Sequence, residues 1–201
     1  MDDLQPISIL LLGDDEVGKS TFLSRLALLR SSKAAAPRGG SAASPPPALL
    51  RDEDQPFVVE LRTRIAAFRL EFCDTASPEH WRSRPPPDLV VLCYDISRRP
   101  TLASLQTRWL GEVRTAFQHC DRLPILVLGL KRDLRREDDP AGTLYPHEAC
   151  NLAQQLRADM YLECSAVTGE LLAQVVDDIC RRAIQTATPE GGQSQGACCV
   201  M

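Results

Sequence analysis

The chain has 201 residues, a formal net charge of -4, and 44% hydrophobic residues. That length suffices for one globular domain with a real core plus additions. The charge balance, without a long basic block, gives no footing for a nucleic-acid partner, and no apolar run approaches the ~20 residues that cross a bilayer.

Asp2 and Asp3 precede the first apolar run, so no signal peptide is expected. Ile7 to Gly13 is a short, nearly continuous hydrophobic run ending in glycine, the pattern of a buried strand. A helical stretch follows from Lys19 to about Leu29. Residues 31–56 are rich in Ala, Pro, Ser and Gly, including Pro45-Pro46-Pro47, and cannot bury enough apolar surface to offset their ordering; they are expected to form a mobile loop. Phe57 to Leu61 and Ile65 to Cys73 are further strands, the second alternating Phe68, Leu70 and Phe72 with Arg69 and Glu71. Asp88 to Asp95 and Pro124 to Gly129 are two more buried strands, separated by a helix bearing Leu105, Trp109, Val113 and Phe117. Pro146 suits the first turn of a helix running to about Arg157. Met160 to Cys164 is a last strand and Leu171 to Ile184 a last helix, before a polar tail over 187–201. The alternation predicts one α/β domain over 1–186, with a mainly parallel six-stranded sheet covered on both faces.

Cys73, Cys93 and Cys164 lie inside apolar runs, where a free thiol acts as a small hydrophobe. No C-x-x-C pair occurs, and His80, His119 and His147 are scattered, so neither disulfides nor a zinc site are expected. The compartment that fits is reducing and cytoplasmic.

Gly13-Asp14-Asp15-Glu16-Val17-Gly18-Lys19-Ser20 matches G-x-x-x-x-G-K-[ST], and Thr21 follows it into the helix. Its position matters more than its letters. It leaves a buried strand and opens a helix, where loop N–H groups and the helix N-terminus favour a bound phosphate. Lys19 would reach the β- and γ-phosphates, and the Ser20 hydroxyl would sit on Mg²⁺. An ordinary strand–helix turn with a surface lysine is the competing explanation.

Asp74-Thr75-Ala76-Ser77, Leu130-Lys131-Arg132-Asp133 and Ser165-Ala166 follow in order, each at the C-terminal end of a predicted strand. With the phosphate loop, they make the chain resemble the small GTPases of the Ras superfamily, a P-loop NTPase fold. That end of an open α/β sheet is where ligands bind. The resemblance implies that Asp133 accepts hydrogen bonds from the guanine N1–H and amine, that Lys131 lies across the base, and that the Ala166 N–H meets guanine O6. Asp74 would hold Mg²⁺ through water. GTP or GDP with Mg²⁺ is therefore the expected ligand. Trp109, Leu128 to Arg135, Tyr145-Pro146 and Tyr161 to Ala166 are most similar to the Rho branch, and that likeness covers most of residues 5–185. Between Asp133 and Tyr145 the chain is too short for the extra helix that Rho proteins usually insert, so the alternative is another branch of the superfamily.

The departures gather around the γ-phosphate. Ser77 stands at the family's glycine and Pro78 at its catalytic glutamine. Proline has neither an amide side chain nor an N–H to orient a water, and it restricts the residue before it. Asp15 replaces a common glycine, and Asp15 and Glu16 add negative charge beside a triphosphate unless they point to solvent. The switch threonine, about 22 residues ahead of the aspartate in the family, falls near Asp52, where no hydroxyl is present. Leu130 replaces a polar residue, and Val167 a common lysine. Losing one preorganised contact to the transition state slows reaction on the order of 10²–10³-fold, so slow GTP hydrolysis is expected and no residue is assigned as catalytic.

Cys198-Cys199-Val200-Met201 reads as a C-a-a-X box with farnesylation at Cys198. One prenyl chain anchors weakly and reversibly. The expected location is cytoplasmic, with reversible association to the cytoplasmic face of the plasma membrane or endomembranes. Expected partners are guanine nucleotide, effectors, an exchange factor, a prenyl-binding chaperone and the membrane surface. A slowly hydrolysing switch is the leading reading. A pseudo-GTPase interaction module that does not cycle nucleotide is the alternative, and a P-loop ATPase or kinase, which the guanine boxes oppose, is third.

Overall fold

A computed structural model describes residues 6–33, 55–62, 67–74, 85–120, 122–136 and 142–187. Six strands, β1 (Pro6–Leu12), β2 (Phe57–Arg62), β3 (Ala67–Asp74), β4 (Leu89–Asp95), β5 (Ile125–Leu130) and β6 (Met160–Glu163), form one sheet in the order β2-β3-β1-β4-β5-β6. β2 pairs antiparallel with β3, and every other neighbouring pair is parallel. The expected mainly parallel α/β sheet is the one observed. β1 lies between β3 and β4, so the chain departs to opposite sides of it, and a crevice opens at the strands' carboxyl ends.

The inner strands β1, β4 and β5 are buried on both faces because alternate side chains serve separate cores. From β1 and β4, Ile9, Leu11, Val91 and Cys93 face α1 (Lys19–Lys33) and the C-terminal helix, meeting Phe22, Leu26, Val175 and Ile179. Leu10, Leu12, Leu92 and Tyr94 face the other way, against Leu102, Trp109, Val113 and Ala149. Each fully buried leucine stabilises the fold by about 1.5–3 kcal/mol. Cys73, Cys93 and Cys164 are buried free thiols, as their apolar setting predicts. Burial pushes the Cys93 thiol up; burial, then the charge of Glu163, raises Cys164 to about 12.

The helices differ from expectation in three places. α1 continues through Lys33, taking Ser31–Lys33 out of the expected loop; nothing in those residues breaks a helix. The expected single helix between β4 and β5 is α2 (Arg99–Ser104), a π-helical turn (Leu105–Trp109) and α3 (Leu110–Ala116). After α4 (Pro146–Gln155), which starts at its proline as read, α5 spans Leu172–Ala187 rather than starting at Leu171. Leu171 has φ +57° and is 41% exposed, so it turns the chain into the helix instead of joining it.

Candidate functional site

The loop after β1 is shaped by positive φ angles. Gly13 has φ +151°, and a Cβ there would lie 2.2 Å from the Cys93 carbonyl oxygen, so β4 passes too close for any side chain. Gly18 has φ +109°, and Glu16, which has a side chain, adopts φ +64°. Val17 is fully buried and pins the loop to the core, whereas Asp15 and Glu16 are exposed. Glu16 thus directs its charge to solvent, where Arg98 stands 3.6 Å away, and its carboxylate is turned out of the loop. Asp14 accepts a hydrogen bond from the Trp109 indole N–H at 2.8 Å, tying the loop to the π-helical turn.

Lys19, only 6% exposed, donates to the Gly13 and Asp14 carbonyls at 2.8 and 2.9 Å. Its ammonium lies 4.0 Å from Asp74 at the end of β3. Ser20 donates to Asp74 Oδ2 at 2.6 Å, and the Asp74 N–H is held by Gln55 Oε1 at 2.8 Å. A hydroxyl and a carboxylate from two elements therefore meet beside a buried ammonium. These are hard oxygen donors of the kind Mg²⁺ takes while keeping several waters.

The second half of the site comes from β5 and β6. Gly18, Thr21, Leu130, Lys131, Asp133, Leu134, Ala166 and Val167 line a cleft of about 200 Å³. Ser165 is fully buried; its Oγ donates a short hydrogen bond to Asp133 Oδ1 and accepts the Thr168 N–H at 3.0 Å. One oxygen of an exposed carboxylate is thereby fixed, which orients the other. Lys131, itself at φ +59°, donates to the Glu16 carbonyl at 2.6 Å and to Asp95 Oδ2 at 2.7 Å. Beneath the cleft, Arg135 makes a bidentate pair with Glu163 at 2.7 and 2.5 Å and donates to the Leu144 carbonyl at 3.0 Å. Glu163 also accepts from the Tyr161 hydroxyl, which contacts the Tyr94 hydroxyl at 3.0 Å. Burial raises the Tyr94 and Tyr161 pKa values, so both phenols stay protonated at neutral pH. For Arg135, burial is the largest influence and opposes its charge, but the hydrogen bonds to Glu163, the charge of that carboxylate and the nearby Tyr161 and Tyr94 together hold the guanidinium pKa above its ordinary value.

Gly13, Asp14, Asp15, Glu16, Val17, Gly18, Lys19, Ser20, Thr21, Asp74, Lys131, Asp133, Ser165 and Ala166 all lie at the carboxyl ends of the strands: in the loop after β1 and the first turn of α1, at the last residue of β3, and in the segments that follow β5 and β6. Asp52, Ser77, Pro78 and Cys198 lie outside the described residues. Sequence reasoning missed Asp95, a carboxylate closing an otherwise apolar strand, and the Arg135–Glu163 pair, quoted only within longer strings.

Residues 55–185 match the Ras family model. The match begins beyond the phosphate loop, so that loop rests on its own signature and geometry. The chain is 30% identical over 191 residues to the Rho-related GTP-binding protein RhoH of Bos taurus, covering 92% of this chain and 91% of that one. It is 30% identical over 155 residues to the GTP-binding protein RHO2 of Saccharomyces cerevisiae, covering 72% and 77%. Against the Rho-related GTP-binding protein RhoV of Mus musculus the identity is 32% over 143 residues, covering 64% and 59%. The chain belongs to the Ras family of small GTPases and is similar to its Rho-related members.

Proposed function

We propose that this protein is a guanine-nucleotide switch that binds GDP and GTP with Mg²⁺, hydrolyses GTP slowly, and associates reversibly with membranes through a prenyl group. The observation that carries the base assignment is the Asp133 carboxylate, braced by Ser165 at the edge of a cleft shared with Gly18 and Lys131. A carboxylate with one oxygen tied off presents its other lone pairs to paired N–H donors, which guanine has along its N1–C2 edge and adenine lacks. Lys131 lies against Gly18, and the Lys131 Cε would be 3.6 Å from a Cβ placed there, so its stem forms one wall of the slot.

At the other end, Lys19 and the loop N–H groups would take the phosphates; the ammonium has a third N–H donor beyond those on the Gly13 and Asp14 carbonyls. The Ser20 hydroxyl would supply an oxygen donor for Mg²⁺, and Asp74, which accepts from that hydroxyl, would hold the ion through water. Held there, Mg²⁺ would supply charge neutralisation at the phosphates. Pro78 cannot position a water, and the segment near Asp52 lacks a hydroxyl, which supports slow turnover. The outward carboxylate of Glu16 removes one objection to triphosphate binding. Cys198 is the proposed lipidation site, and exchange factors, effectors and a prenyl-binding chaperone are the proposed partners.

The deciding experiment identifies nucleotide co-purifying with the native protein by mass and follows its conversion over hours. Bound GDP or GTP with conversion far slower than is usual for small GTPases is expected. Rapid single-turnover hydrolysis would overturn the slow-switch reading, and a protein without nucleotide would leave a non-cycling interaction module. Asp133→Ala should reduce the preference for guanine over adenine nucleotides on the order of 10²-fold or more, because a site built to pair a donor discriminates strongly. Intact mass of protein from a eukaryotic host tests the lipid on Cys198.

A further inference from the structure

Asp95 is a buried carboxylate that the roles above leave unused. It ends β4 and is 1% exposed. Its Oδ1 accepts from the Ser97 N–H at 2.8 Å and the Ser97 hydroxyl at 2.6 Å, which fixes the plane of the carboxylate. Its Oδ2 is thereby aimed at Lys131, whose ammonium sits 2.7 Å away. The same ammonium donates to the Glu16 carbonyl at 2.6 Å, so one cation bridges the end of β4 to the phosphate loop.

The loop contact has a directional consequence. A trans peptide is planar, with its C=O and N–H pointing opposite ways. Drawing the Glu16 carbonyl toward Lys131 therefore sets where the Val17 N–H points. Glu16 holds φ +64°, a conformation unfavourable for a residue with a side chain, and it persists only while its surroundings hold it. The neighbouring Leu130 is apolar and lines the same cleft, so its side chain cannot share the task. The Arg98–Glu16 pair is exposed and holds the loop weakly.

We infer that Asp95 is a positioning residue for nucleotide retention: its carboxylate holds Lys131 on the Glu16 carbonyl, so that phosphate loop and base cleft are set as one unit. The inference rests on the guanine-nucleotide reading above. Asparagine at this position keeps an oxygen for Ser97 and loses the charge that holds Lys131, which makes Asp95→Asn the informative substitution.

The test follows release of fluorescently labelled GDP, with Mg²⁺, from the wild type, Asp95→Asn, Lys131→Met and the double variant. Asp95→Asn is expected to speed release about ten- to hundredfold, the range for losing a hydrogen bond to a charged group. In the Lys131→Met background it should add less than about twofold, because the partner is already gone. An unchanged release rate, or an equal acceleration in both backgrounds, would overturn the inference. Hydrogen exchange at the Val17 and Gly18 amides of nucleotide-free protein separates this from the nucleotide reading. Faster exchange in Asp95→Asn supports the bridge even if the wild type retains no GDP, and unchanged exchange removes it.

Discussion

The two halves of the site are held by different physics. The phosphate loop owes its shape to backbone: positive φ at Gly13, Glu16 and Gly18, a carbonyl of β4 against Gly13, and Val17 sunk into the core. The base side is braced by side-chain charge, with Arg135 on Glu163, Arg132 3.2 Å from Glu170, Arg99 on Glu148, and Asp133 tied to Ser165. Backbone shape fails abruptly, since a Cβ either fits or does not. Charge bracing fails gradually and responds to pH and salt. Lys131 and Asp95 join the two halves.

The largest expected effect lies on the backbone side. Gly13→Ala places a Cβ 2.2 Å from the Cys93 carbonyl oxygen, a backbone atom in the middle of the sheet that cannot swing aside. The substitution should cost at least about 4 kcal/mol, within the exceptional class of single-site effects. Chemical denaturation of the nucleotide-free protein reads it directly. A loss under about 1 kcal/mol would mean that β4 yields, and the contrast between the halves would collapse.

Much of this arrangement is legible in the sequence because its signals are local. β1, β4 and β5 are apolar runs of ordinary length, β3 alternates apolar and charged residues, and Ile7–Gly13 followed by Lys19-Ser20 announces both a turn and its ligand class. What escaped depends on long-range placement or on a degenerate pattern. Leu105, Trp109 and Val113 recur every four residues, which an α-helix and a helix containing a π-helical turn satisfy alike. Leu171 extends the apolar spacing of the last helix, and only its φ of +57° excludes it. Asp95 is only the last residue of an apolar run in the sequence; its meaning comes from Lys131, 36 positions away. Arg135 and Glu163 are likewise ordinary charges until β5 and β6 pair and bring them to 2.7 Å.

That last pair gives the next effect in size and probes the other half. Arg135 and Glu163 side chains are 13% and 8% exposed, so removing one partner leaves the other charged and poorly hydrated. Arg135→Met should cost about 3 kcal/mol in stability. Adding Glu163→Gln should restore part of it, because the stranded charge then disappears. Urea titration of the single and double variants measures both. If the double variant is less stable than Arg135→Met, the pair is not the source of the loss. Phosphate-loop amide exchange should stay unchanged in either variant, a requirement that sharpens the division between backbone and charge.

The smallest effect tests whether the charge-braced half responds to acid. Arg99 donates to Glu148 at 2.6 and 3.0 Å and to the Thr143 carbonyl at 3.1 Å, securing the chain ahead of α4. The Arg99 hydrogen bonds hold the Glu148 carboxyl below its ordinary value, against a smaller opposing contribution from burial. A carboxylate depressed in the folded state contributes stability above its unfolded pKa, about 4.3, and loses it as pH falls through the folded value. The melting temperature of the wild type should therefore exceed that of Glu148→Gln at pH 7, and the gap should narrow as the pH falls below about 4. Because both side chains are partly exposed, the gap at pH 7 should amount to only a few degrees. Gly13→Ala introduces no titrating group, so its deficit should keep its size across the same window. A Glu148→Gln deficit that stayed constant down to pH 3 would assign the bracing to shape rather than charge, and the two halves of the site would then be held alike.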